Sequence, residues 1–266
     1  MQLIIPAFNE EGRLPATLLA LRVYALSTAA LPGPPLEVLV VDNASTDRTS
    51  EVARAMDSPA MPVHVLTCEE RGKGAAVRAG ILATTADVVG FMDADGATDL
   101  AAFARATVLL ESGAEVVIGS RAAEGAQTQS RHSRLRAAGA AAYRRAAATL
   151  VPGVSDTQCG FKLMRGDLAR EIFTECRTRG FSFDVEMLAR CGARQARIEE
   201  FPVIWSDVPG STFSPMRHGL RSFTELVGIA WRVSLRPARR TVVTPLRPGV
   251  PAVANDGVRL DLVGGA

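Results

Sequence analysis

The sequence lacks the marks of a metal finger, a disulfide scaffold or a membrane-spanning protein. Its four cysteines, Cys68, Cys159, Cys176 and Cys191, form no Cys-x-x-Cys pair. No histidine stands at zinc-finger spacing from them, so reduced thiols in a cytoplasmic chain are expected. His64, His132 and His218 are isolated and make no triad or metal set. No uncharged apolar stretch reaches the roughly 20 residues that cross a bilayer. Nothing before Gln2-Leu3-Ile4-Ile5-Pro6 resembles a basic and then apolar leader, so no signal peptide is expected. Charge is close to balanced at 30 Lys plus Arg against 28 Asp plus Glu, a net +2. That balance argues against a strongly polyanionic partner such as nucleic acid, and any basic surface must be local. There is no internal repeat and no Walker loop.

What is present is a soluble globular composition. The 266 residues are 47% hydrophobic and 22% charged, enough for one large domain or two small ones. Through residue 120, short apolar runs of strand length alternate with helical patterns. The runs are Leu3-Ile5, Val38-Val41, Val63-Leu66, Val88-Met92 and Val116-Ile118. Between them, Leu14, Leu18, Leu21 and Ala25 share one helical face. Thr46 or Asp47 is placed to cap a second helix carrying Val52 and Met56, Val77 and Ile81 face inward on a third, and Asp99 is placed to cap a fourth with Leu100, Phe103 and Leu110. Such alternation predicts an α/β fold with a mostly parallel sheet covered on both faces, whose ligands gather at the carboxyl ends of the strands. Beyond residue 120 the pattern predicts a mobile Arg-rich loop over 122–136, an Ala-rich helix over 137–151 and a strand from Ile198 to Trp205. Ser211 to Leu235 reads as a loop and an amphipathic helix, and 237–266 as a disordered tail.

Polar residues of interest cluster where apolar runs stop. Asn9-Glu10 follows the first strand, Asp42-Asn43 the second, and Asp93 and Asp95 the fourth. An Asp-x-Asp pair at a sheet edge offers hard oxygen ligands for a divalent cation bound to phosphates, although such pairs also make ordinary turns. Gly72-Lys73-Gly74 is a turn bringing backbone N–H groups and one ammonium to a helix N-terminus, where anions bind; Lys73 as a solvated surface charge is the alternative. Arg121, Arg131, Arg134 and Arg136 gather after strand five, and arginine's planar fork suits phosphate oxygens.

Five segments occur in order: Pro6-Ala7-Phe8-Asn9-Glu10-Glu11, Val41-Asp42-Asn43-Ala44-Ser45-Thr46-Asp47, Arg71-Gly72-Lys73-Gly74-Ala75-Ala76-Val77-Arg78, Met92-Asp93-Ala94-Asp95-Gly96-Ala97-Thr98 and Asp156-Thr157-Gln158-Cys159-Gly160-Phe161-Lys162. Together they resemble the family-2 inverting glycosyltransferases with the GT-A nucleotide-sugar-binding fold. The dolichyl-phosphate β-glucosyltransferase branch matches best, with polyprenyl-phosphate mannose synthases as near cousins. The likeness covers about residues 1–235 and implies a glycosyltransferase domain over 1–236. Residues 1–120 would then form the nucleotide-sugar half and 121–236 the acceptor half.

The resemblance implies a metal-dependent transfer of a hexose, glucose from UDP-glucose for choice and a GDP-sugar otherwise, to a prenyl phosphate. Pro6, Ala7, Phe8, Glu10, Asp42, Gly72, Lys73, Asp93 and Ala94 would bind the nucleotide sugar. Asp93 and Asp95 would hold Mg²⁺ or Mn²⁺, with Asp95 the more direct ligand. Ala97 stands where mannose synthases carry a helping Gln, leaving fewer protein ligands. Arg121, Arg131, Asp156 and Gln158 would meet the acceptor, and Arg121, Asp95 and Asp184 would serve catalysis. Asp184 reads as a base, a sugar clamp or a helix cap; Asp42 as a base-binding acid or a turn former; Glu10 as a pocket acid or a first-turn helix acid.

A phosphate acceptor needs almost no base, whereas a hydroxyl acceptor does. The basic, Trp-bearing helix over 213–240 reads either as peripheral contact with an anionic membrane at its inner face or as a helix packed on the domain. The alternatives to a lipid acceptor are a soluble small molecule or phosphosugar, a nucleotide-sugar-binding module without catalysis, and a nucleotidyltransferase that would release pyrophosphate.

Overall fold

The computed structural model describes residues 1–28, 35–129, 134–206, 215–234 and 243–244. The expected alternation is present: β1 (Gln2–Ala7), α1 (Leu14–Thr28), β2 (Glu37–Asp42), α2 (Thr49–Arg54), β3 (Val63–Thr67), α3 (Lys73–Ala83), β4 (Val88–Met92), α4 (Ala101–Glu111) and β5 (Val116–Ser120). β1 lies parallel between β2 and β4, and β2 continues parallel to β3. Period-two alternation divides their side chains between two cores. Leu3, Ile5, Val38 and Val40 pack with the leucines of α1 and with Phe103 of α4, while Ile4, Leu39, Val41 and Phe91 pack with Val77 and Ile81 of α3. Leu14, Leu18 and Leu21 are fully buried, as the helical spacing predicts. The expected side-chain cap on α2 is absent. Asp47 Oδ1 instead accepts from Thr49 N at 3.0 Å in a tight local turn, and Met56 lies past the helix end.

The second half departs more from the sequence pattern. It contains β6 (Gln127–Gln129), α5 (Arg134–Leu150), β7 (Phe161–Arg165), α6 (Gly166–Glu175), α7 (Phe183–Ala193), β8 (Ile198–Pro202), β9 (Ile204–Ser206), α8 (Pro215–Ser234) and β10 (Val243–Thr244). Among the described residues the main sheet runs β10-β8-β5-β7-β4-β1-β2-β3. β7 is antiparallel to both β4 and β5, so a reversed strand is inserted at the middle of a parallel sheet. The segment 122–136 is not simply a loop: β6 pairs with β9 in a small second sheet, and α5 begins at Arg134. The strand expected over 198–205 breaks at Val203, where the chain leaves β5 and turns to meet β6. The four cysteines are buried and unpaired. Among the described residues no helix is long and apolar enough to cross a membrane. Of the expected tail, 237–242 and 245–266 lie outside the described residues, and Val243–Thr244 pairs with β8.

Candidate active site

The carboxyl ends of β1, β2 and β4 open on a cleft of about 390 Å³, within the range of small-molecule sites. Pro6, Ala7, Phe8, Glu10, Gly72, Lys73, Asp93, Ala94 and Asp95 line it. Arg13, Asn43 and Arg71 also face it, as do Gly180, Phe181, Ser222 and Glu225 from the second half.

The loops after β1 and β2 are stitched together. Asn9, in the left-handed region at φ 55°, accepts from Thr46 N at 2.8 Å through Oδ1, and its own N–H donates to Ser45 Oγ. Ala44 also adopts a left-handed φ of 58°, a conformation a residue with a Cβ holds only under constraint. Asp42 is buried and does not line the cleft. One of its oxygens accepts from Ser45 N at 3.0 Å and the other from Ser50 Oγ, which is the turn-forming arrangement. Its neighbour Asn43 faces the cleft and holds the next loop. Asn43 Nδ2 donates to the carbonyls of Cys68 and Glu70, and Oδ1 accepts from Gly72 N at 2.7 Å.

That loop delivers Lys73. Gly72 has φ 130°, and a Cβ there would stand 2.2 Å from Arg179 O, so only glycine fits. The backbone N–H groups expected to receive an anion are otherwise engaged: Gly72 N by Asn43, and Gly74 N and Ala75 N by Arg179 O. The turn therefore offers the Lys73 ammonium, with three of its backbone N–H groups already engaged. Lys73 Nζ lies 2.5 Å from Asp93 Oδ1. Burial would lower its pKa, but the charges of Asp93, Asp184 and Asp95 outweigh that and hold the ammonium above its ordinary value.

Asp93 and Asp95 stand where β4 ends. Thr17 of α1 anchors their loop by donating to Ala94 O at 2.8 Å, and Ser206 N of β9 donates to Ala97 O. Gly160 abuts Asp93: a Cβ there would meet Oδ2 at 2.3 Å. Burial pushes the Asp95 carboxyl above the usual carboxylate range, and the Asp93 charge pushes it the same way. Asp93 Oδ1 is buried, and the Lys73 ammonium is its ion-pair partner. Two acids one residue apart at the end of β4, close enough that the charge of Asp93 raises the Asp95 pKa, suit a hard divalent cation. Among the described residues no group of three or more His, Cys, Asp or Glu side chains has metal-site geometry. A cation here would therefore take its remaining ligands from phosphate oxygens and water. Glu10 is ion-paired with Arg13, whose Nη1 is buried and unpartnered in the described structure. Burial raises the Glu10 pKa despite that pair.

Asp184 is buried beneath the cleft and does not line it. Its Oδ1 accepts from Lys162 Nζ at 2.6 Å, and the same ammonium donates to Cys159 O at 2.6 Å and sits 5.1 Å from the centre of the Phe91 ring. Burial pushes the Asp184 carboxyl up, more than Lys162 and Lys73 pull it down. Glu186, two residues on, faces away. It accepts from Arg177 N, Thr178 N, Arg190 and Arg232, joining α7 to α8. These bonds outweigh burial and depress its pKa to about 2.

The expected acceptor residues form a separate group beside the cleft. Arg121 grips Asp156 through Nε at 2.7 Å and Nη2 at 3.0 Å and lies 5.5 Å over the Trp205 ring. Asp156 holds the Arg121 guanidinium above its ordinary pKa even though burial opposes it. Gln158 is half-buried, its N–H donating to Asp156 Oδ1. Arg131 lies outside the described residues, and the Arg134 and Arg136 side chains do as well. Sequence reasoning gave no role to Arg13, Lys162 or Glu225. Arg13 had a legible signal, three residues after Glu10 on a starting helix, whereas the other two depend on partners distant in the chain.

The profile described as Glycosyl transferase family 2 matches residues 2–173. The Drosophila melanogaster dolichyl-phosphate beta-glucosyltransferase is 33% identical over 252 residues, which cover 88% of this chain and 77% of that one. The Homo sapiens enzyme of the same name is 31% identical over 255 residues, covering 88% and 78%. Among solved structures, glucosyl-3-phosphoglycerate synthase from Mycobacterium tuberculosis, in complex with Mn²⁺, uridine-diphosphate-glucose and phosphoglyceric acid, superposes with a TM-score of 0.60 at 20% identity, covering 88% of this chain and 79% of that one. The same synthase with Mg²⁺ and uridine-diphosphate gives 0.60 at 18%. At such identities the likeness is one of fold.

Proposed function

The chain belongs to glycosyl transferase family 2, and from that we propose that it transfers glucose from UDP-glucose to a polyprenyl phosphate with inversion at the sugar. The observation that carries this reading is the pair Asp93 and Asp95 in the cleft, with the Lys73 ammonium ion-paired to Asp93 beside them. The acceptor class follows the relatives at about 30% identity, all named as acting on dolichyl phosphate.

Each side chain has a task in that chemistry. Asp93 and Asp95 would hold Mg²⁺ or Mn²⁺, which when bound stabilises the charge that collects on the departing diphosphate. Lys73 and Arg13 add positive charge to the same region. The loops carrying Asp42 and Asn43 would frame the base. Asp184, held by Lys162, organises the floor of the site and is too buried to act as a base. A phosphate monoester acceptor is already anionic near neutral pH and needs none. The Arg121–Asp156 pair would orient that phosphate.

A route for a lipid acceptor is supported by α8. Its Phe223, Val227 and Trp231 recur every four residues and are 37%, 72% and 69% exposed. Such a stripe on a helix that also lines the cleft suits peripheral contact with a bilayer.

The test is a screen of UDP- and GDP-sugars with Mn²⁺ against prenyl phosphate in vesicles and against soluble phosphorylated acceptors. Glucosyl lipid and UDP are the expected products. Preference for a soluble acceptor, or release of pyrophosphate, would replace this reading.

A further inference from the structure

The family profile ends at residue 173, yet Gly180, Phe181, Ser222 and Glu225 supply a wall of the cleft. This wall lies beyond the part of the chain that the family profile describes, and its charged member is a carboxylate. We infer that Glu225 accepts hydrogen bonds from the hydroxyl groups of the transferred hexose and is the residue that selects the sugar, an inference that rests on the donor reading above.

The carboxylate is built into its place. A Cβ at Gly180 would stand 2.2 Å from Glu225 Oε1 and 2.8 Å from Oε2, so the carboxylate lies against bare glycine backbone and a side chain there would displace it. Ser182 N donates to Glu225 Oε2 at 3.3 Å, and Ser182 Oγ donates to Ser222 O at 3.2 Å, which ties α8 to the start of α7. Tyr143 of α5, 6% exposed, comes close enough for the Glu225 charge to act on its hydroxyl.

The chemistry excludes the other parts of the donor and acceptor. A carboxylate repels a diphosphate or an acceptor phosphate, whereas it forms charge-assisted hydrogen bonds with neutral hydroxyls. The nucleobase N–H and the ribose hydroxyls are the other donors available, and UDP carries both. The base is expected near the carboxyl ends of β1 and β2, across the sequence from this wall. Binding experiments separate these cases, because UDP carries the base and diphosphate while UDP-glucose adds only the sugar.

The test is calorimetric binding of UDP and UDP-glucose, with Mn²⁺, to the full wild-type chain and to Glu225→Ala. The expected result is unchanged UDP affinity and UDP-glucose affinity lower by roughly tenfold or more, the loss of a charge-assisted hydrogen bond. Gly180→Ala, which pushes the carboxylate aside without removing it, should give the same split. Retained UDP binding shows that both variants are folded. Equal losses for the two ligands, or no loss for either, overturns the sugar role. A wild-type chain that binds neither ligand overturns the donor reading and this inference with it.

Discussion

Lys162 is fully buried and its ammonium neutralises Asp184 at 2.6 Å. Removing one partner of a buried pair strands the other charge, a loss of about 3–5 kcal/mol. Lys162→Met should lower urea stability by that amount, and adding Asp184→Leu should return most of it; a fully additive double variant would argue against direct coupling. Glu186 makes a different, pH-dependent contribution. Its folded pKa of about 2 lies below its ordinary 4.5. The stability it gives, about 3 kcal/mol, is therefore complete above about pH 4.5 and lost as pH falls toward 2. Glu186→Gln should flatten the urea-stability profile over that window, and an unchanged acid limb would contradict the assignment. The same residues mark what could be read from sequence. Glu10, Asp93 and Asp95 announced themselves as polar residues at the ends of apolar runs, and Lys73 by the glycines on either side of it. Lys162 and Glu186 did not, because Asp184 and Arg232 are 22 and 46 residues away.

β7 shows how an element can serve the site while escaping the sequence pattern. Phe-Lys-Leu-Met-Arg has no clean apolar period, and its lysine is inward, facing Phe91 and Asp184. By running antiparallel between β4 and β5, the strand brings Gly160 against the Asp93 carboxylate. β6 was equally hidden, and β9 was read only as the continuation of β8, since the three-residue pair forms by contact between segments distant in the chain. The first five strands were legible because each is a short apolar run between helices whose buried faces repeat every three or four residues. Gly160→Ala should displace Asp93. A 1 Å error there should slow transfer by on the order of a hundredfold, with a stability cost of about 1–3 kcal/mol. Steady-state kinetics beside urea unfolding would separate the two, and normal kcat would show that Gly160 does not set the carboxylate.

At the scale of the whole molecule, the first half supplies most of the cleft proposed to take the nucleotide sugar, and the second half supplies its remaining wall and an apolar outer stripe. The two halves meet at the sheet itself, where β7 from the second half separates β4 from β5 of the first. The proposed donor and acceptor regions are thus joined by shared hydrogen-bond ladders. The central claim is that the Asp93–Asp95 corner, with a divalent cation, drives hexose transfer. It is tested most directly by following UDP release and glucosyl-lipid formation from UDP-glucose and a short prenyl phosphate, in wild type and Asp95→Ala, with Mn²⁺ or EDTA. Turnover with Mn²⁺ in the wild type, falling by on the order of 100-fold or more with EDTA or in the variant, is the predicted result. Undiminished transfer under EDTA or in Asp95→Ala would contradict it.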